Sequence, residues 1–102
     1  MARVVWSSEA RRDLAGLVNW IARDAPAAAS RMGRKITAAT ARLRKFPESG
    51  SPVEDTSHVG LREIFVDPYR VIYFHEKTRC VIVGVLHSKQ DLARWQPPEL
   101  PS

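Results

Sequence analysis

Apolar and polar positions change their spacing several times along this chain, and each change marks an element. Arg3 to Trp6 carries two β-branched residues and a tryptophan and predicts a short strand. Ser7 is a good N-cap, and Glu9 places a negative charge in the first turn of a helix. Ala10, Leu14, Leu17, Val18 and Ile21 then recur at helical spacing. Asp24-Ala25-Pro26 ends that helix, and Pro26 opens a second, predicted over residues 26–46. Ala29, Met32, Ile36, Ala39, Leu43 and Phe46 form its narrow apolar seam. So short a linker implies an antiparallel helical hairpin.

The breaker cluster Pro47 to Pro52, and the polar run through His58, separate helices from strands. Three strands follow, over residues 61–66, 69–75 and 79–87. Asp67-Pro68 and Glu76-Lys77-Thr78 supply the turns. Residues 80–86 are apolar on both faces, which predicts an interior strand. The predicted fold is α+β, in the order β-α-α-β-β-β. The antiparallel hairpin packs on one face of a twisted, mainly antiparallel sheet, and the other face is left partly open. The first strand is expected at an edge, antiparallel to its neighbour. One domain spans residues 1–95, followed by a Pro-rich irregular tail over 96–102.

Composition narrows the class. The chain has 102 residues, 44% of them apolar, enough for a core of its own. A single cysteine, Cys80, excludes an internal disulfide framework and is expected to be a small buried hydrophobe. No apolar run suits a membrane span or a secretory signal, so the expected setting is cytoplasmic, without membrane contact. His58 and His75 have no partner pattern. No metal site or cofactor is expected.

Charge adds a direction. The formal net charge is +5, and the excess is uneven. Residues 8–46 hold nine basic and three acidic side chains, while the rest of the chain is nearly balanced. Arg31, Arg34, Lys35, Arg42 and Lys45 form a stripe beside the seam of the second helix. Such a stripe suits an acidic protein segment or a nucleic acid. Trp20 sits about 100° off the apolar face of the first helix, where it either caps the core edge or anchors a partner. Packing is the simpler reading.

Four stretches resemble the RelE/ParE superfamily of toxins from type II toxin–antitoxin pairs, and the ParE-like branch in particular. They are Trp6-Ser7-Ser8-Glu9-Ala10-Arg11-Arg12-Asp13-Leu14, Phe46-Pro47-Glu48-Ser49-Gly50, Leu61-Arg62-Glu63-Ile64, and Tyr69-Arg70-Val71-Ile72-Tyr73 with Val85-Leu86-His87-Ser88-Lys89-Gln90-Asp91. The likeness covers about residues 3–92, and its strength lies in order and spacing. It implies a toxin neutralised by a cognate ParD-like antitoxin that also binds DNA. ParE-like members poison DNA gyrase, whereas RelE-like members bind the ribosome and cut mRNA.

The resemblance also distributes candidate residues. A pair of basic positions in RelE-like enzymes falls on Arg62 and Ile64, so one is kept and one lost. A third-strand arginine falls on Arg70, an arginine after the last strand on Lys89, and a C-terminal tyrosine near Trp95. RNA cleavage needs a general acid or base and stabilisation of a phosphorane. Indole supplies neither, and the set is incomplete, so no catalytic residue is expected. The RNase alternative would use Arg62, Arg70, His87 and Lys89. His87 otherwise orients the terminal segment from the strand end. On the ParE-like reading, Trp20, the basic stripe, Arg62 and Arg70 meet the antitoxin, and Lys89 and Trp95 meet the target. Arg70 has a structural reading too, as a partner for Glu63, Asp67 or the tail.

Overall fold

The structure is a computed structural model and describes residues 1–97. Strand β1 (Arg3–Trp6) leads into helix α1 (Ser8–Ala22). Ser7 is its N-cap: the side-chain oxygen accepts the Ala10 N–H at 3.0 Å. Since Ser7 is buried, Ser7→Ala would leave that donor unpaired. We expect a loss of about 1 kcal/mol, read as a lower thermal midpoint.

Helix α2 (Pro26–Ala41) begins with proline at its first position and has no side-chain cap. It stops short of the expected Phe46. Residues Arg42–Arg44 tighten into a 3₁₀ turn. That turn advances faster per residue than an α-helix. It carries Leu43 fully inward and leaves Phe46 60% exposed, so Phe46 does not extend the seam. Thr40 is buried instead, its hydroxyl donating to the Thr37 carbonyl at 2.8 Å. Where α1 meets α2, Gly33 packs against Val18: a Cβ there would lie at an ordinary contact distance of 3.5 Å from the Val18 side chain.

Four more strands complete a five-stranded sheet. They are β2 (Ser51–Pro52), β3 (Arg62–Val66), β4 (Tyr69–Glu76) and β5 (Arg79–His87), in the spatial order β1-β5-β4-β3-β2. The two-residue β2 has too little pattern to be seen in the sequence. Strand β1 lies at an edge but runs parallel to β5, with Val4 beside Cys80 and Trp6 beside Ile82. The antiparallel expectation fails because the β1 connection is long. Short turns force antiparallel neighbours only from β3 onward, and a two-helix crossover allows a parallel pair.

Strand β5 is interior, as its apolar run implies. The β4–β5 register shifts between Ile72 and Tyr73, so Ile72 faces Gly84 while Tyr73 faces Ile82. Val83 is the extra residue of a bulge, which breaks the in–out alternation of the strand. Two cores result. The helix-side core includes Ala10, Ile36, Leu43, Val71, Tyr73 and Ile82. On the far face, Ile72, Val81, Val83 and Leu86 pack with Leu61 and Leu92. Loop residue Val53 and terminal residues Leu92 and Trp95 cover the middle of that face, while Phe65 in β3, on the same side, is 61% exposed, so the face is open only in part. Of the tail expected over 96–102, residues 98–102 lie outside the described residues.

Candidate functional site

The basic side chains of the hairpin are its most prominent exposed feature. Arg31, Arg34 and Lys35 project from α2, and Arg42 and Lys45 from the 3₁₀ turn and its end, all exposed. The ion pairs seen among the described residues are made by Arg62, Arg70 and Arg79, all in the sheet. The hairpin charge is thus left to act on its surroundings. Beside the stripe runs a shallow, mainly apolar groove of about 660 Å³, lined by Val18, Ala29, Gly33, Arg34, Ala38 and Ala41 among others. Small side chains make the groove, because they leave room between the helices. Trp20 does not pack into the core. It is 68% exposed near the hairpin tip, with the Arg23 guanidinium 5.2 Å from its ring centroid.

The sheet arginines behave differently. Arg62 stands opposite Tyr73 and so faces the helix side. Its guanidinium donates to the carbonyls of Gly50 at 2.7 Å and Glu48 at 3.1 Å, and pairs loosely with the Glu48 carboxylate at 3.6 Å. The Tyr73 hydroxyl accepts the Gly50 N–H at 2.9 Å. These two side chains hold the loop that leaves the helices. Burial pushes the Tyr73 phenol up, which keeps it a neutral structural group.

Arg70 stands opposite Phe65 and Leu86 and faces the other side of the sheet. It is 8% exposed. Nε donates to Glu63 at 2.6 Å, and the two terminal nitrogens donate to Asp55 at 2.7 and 3.0 Å. A longer contact of 3.4 Å reaches the Gln90 carbonyl. Glu63 and the terminal segment were expected partners; Asp67 is not among those seen. Asp55 was missed, since a lone acid in a polar loop carries no sequence signal. The signal lay in Arg70: a guanidinium on a buried strand face needs a paired carboxylate and acceptors for its remaining N–H groups. Hydrogen bonds from Arg70 hold the Asp55 carboxyl down at about 2, and the two carboxylates raise the Arg70 guanidinium.

The remaining candidates lie apart from these. His87 pairs with Tyr69, edge-on at 5.8 Å between ring centroids, on the helix side. Tyr69 and Tyr73 are four positions apart in β4, so His87 lies about 13 Å along the strands from the Arg62 row. Its Nδ1 accepts the Lys89 backbone N–H at 3.2 Å, and the His87 backbone N–H donates to the Gln90 side-chain oxygen at 2.8 Å. Lys89 is exposed. Trp95 is half-buried on the far-face core, and a Cβ on Gly84 would lie 3.0 Å from its ring. Cys80 is buried beneath the hairpin exit, and burial pushes its thiol up. Asp13 on α1 accepts the Val85 N–H at 3.0 Å beside the bulge, and burial pushes its carboxyl up. Among the described residues, no group of three or more His, Cys, Asp or Glu side chains is placed to hold a metal ion. No helix among them is long and apolar enough to cross a membrane.

A helical hairpin on one face of a five-stranded mixed sheet, exposed cations on the hairpin and a locked arginine beneath the far face make up a small α+β domain. Residues 4–92 match the model of the ParE toxin of the type II toxin–antitoxin system parDE. Toxin RelE2 of Caulobacter vibrioides is 34% identical over 89 residues, which cover 86% of this chain and 97% of that protein. The chain therefore belongs to the ParE/RelE family of type II toxin–antitoxin toxins. Solved structures agree on the fold. A chain of the chromosomal ParDE system of P. aeruginosa superposes with a TM-score of 0.75 at 15% identity, covering 87% of this chain and 98% of that one. A chain of the RelBE2 complex of Mycobacterium tuberculosis gives 0.65 at 23% identity, covering 84% and 96%.

Proposed function

We propose that this toxin acts in the ParE manner, by protein–protein contact with DNA gyrase, and is held inactive by a cognate ParD-like, DNA-binding antitoxin. One observation carries the reading. The four residues that an RNase mechanism would use do not converge. Arg62 and Arg70 point to opposite faces of the sheet, and His87 lies far along the strands from Arg62. Arg70 is already saturated by two carboxylates, and the His87 Nδ1 already accepts a backbone N–H. A phosphorane needs its donors aimed at one point. Mapping mRNA 5′ ends after a pulse of toxin expression tests this in cells. No new ends inside translated codons are expected; abundant codon-phased cuts would replace the proposal with the RelE-like one.

The antitoxin reading rests on the groove and its charge. An amphipathic segment laid in the groove would bury its apolar side against Val18 and Ala38 and direct its acids to the stripe. Arg62 and Trp20 border this side and belong to the same proposed contact; Arg70, locked on the opposite face, contributes to it least. Lys89 remains a proposed target contact, and Trp95 shares that role only with its exposed portion. Reversing Arg31, Arg34 and Arg42 to Glu should slow antitoxin association at low salt by about 10- to 100-fold while the thermal midpoint stays within a few degrees. Stopped-flow association rates at two ionic strengths check this. Unchanged rates at low salt would remove the stripe from the interface.

A further inference from the structure

Both sides of the Arg70–Asp55 pair reach the terminal segment. Beyond Ser88, whose N–H donates to the Pro68 carbonyl at 2.8 Å, the segment forms local turns: Gln90 N–H to His87, Ala93 N–H to Asp91 and Trp95 N–H to Leu92. Lys89 and Gln90 also bond to their near neighbour His87 at the end of β5; beyond that turn, the segment's polar ties to the rest of the protein among the described residues run through one ion pair. The Asp55 Oδ2 that accepts from Arg70 also accepts the Leu92 N–H at 3.3 Å, and Arg70 reaches the Gln90 carbonyl. Apart from these ties, the segment is held by the fully buried Leu92 and the half-buried Trp95.

We propose that residues 89–97 form a releasable strap over the far face of the sheet, hinged at the His87–Gln90 turn, and that the Asp55–Arg70 pair is its latch. The segment has no helix or strand of its own, so it does not share the cooperative ladder of the sheet beneath it. Asp55 stands on a different loop from the strap, so the pair couples loop 53–61 to the terminal segment. Opening the latch removes the Gln90 and Leu92 ties together, leaves the bonds to His87 as a hinge, and uncovers Ile72, Val83 and Leu86, with Arg70 beside them. Whether Arg70 can meet an anionic group thus depends on the strap. The inference is independent of the toxin's target.

Amide hydrogen exchange on the intact chain tests it. In the unmodified protein, the Leu92 amide should exchange at least tenfold faster than that of Ile72 in β4. Asp55→Asn should speed Leu92 by a further tenfold or so and leave Ile72 protected. Glu63→Gln, which disturbs Arg70 without touching the strap, should speed it much less. Three outcomes would overturn the proposal. Leu92 could exchange with Ile72 in the unmodified protein, making the segment an integral part of the core. Asp55→Asn could leave Leu92 unchanged, or Glu63→Gln could match its effect. The unmodified protein alone supplies the first comparison, so the test survives a variant that fails to fold.

Discussion

The Arg70→Met protein is expected to lose about 3 kcal/mol of unfolding free energy, a large effect for a charged side chain. Two carboxylates, Asp55 and Glu63, would be left against an apolar face without their shared cation. Glu63 is the more costly, because its side chain is 22% exposed against 42% for Asp55. Neutralising both acids in the same protein, with Asp55→Asn and Glu63→Gln, should recover part of the loss, because the penalty comes from unpaired charge. Urea unfolding midpoints at pH 7 would show both effects. A loss below about 1 kcal/mol would place Arg70 among ordinary surface pairs. The same cluster gives an acid dependence. Asp55 has a folded pKa of about 2 against an ordinary 3.8. Its contribution is complete above that ordinary value and disappears as the pH falls toward 2. Asp13 acts in the opposite sense, since burial raises its pKa and acidification relieves it.

Gly50→Ala is the second large effect, at about 3 kcal/mol. An added Cβ would lie 2.6 Å from the Tyr73 ring, 2.7 Å from its hydroxyl oxygen and 2.7 Å from the Glu63 carbonyl. One of these neighbours is sheet backbone and the other is the largest fully buried side chain, so neither gives way easily. Gly50 is not in the positive-φ region, so the constraint is space and not backbone conformation. Tyr73→Phe alone should cost about 1–2 kcal/mol by leaving the Gly50 N–H without its acceptor. Combined with Gly50→Ala, the loss should fall short of the sum, because both act on one contact. Full additivity in thermal or urea unfolding would separate the two sites.

These two sites show what was legible in the sequence and what was not. Periodicity located both helices and the three longer strands, because each repeats its pattern over enough residues. It could not orient β1, whose direction is set across two helices, nor find the two residues of β2. Phe46 fitted the α-helical seam on paper, but the chain had already tightened into a 3₁₀ turn. Trp20, for which packing was the simpler reading, stands in solvent. The candidate arginines were found by resemblance, yet strand parity alone would have separated them. Arg62 and Arg70 are an even number of residues apart in sequence, and the two-residue turn between β3 and β4 places them on opposite faces. Asp55 and the far-face cover were invisible because long-range partners of a loop leave no local pattern.

The central claim is that this toxin acts by holding a protein, with no cleavage chemistry of its own. A supercoiling assay with purified DNA gyrase, relaxed plasmid and the purified toxin tests it most directly. The account predicts that supercoiling falls as toxin is added and returns when the cognate antitoxin is added in equal amount. Undiminished supercoiling at a large molar excess of folded toxin would contradict it.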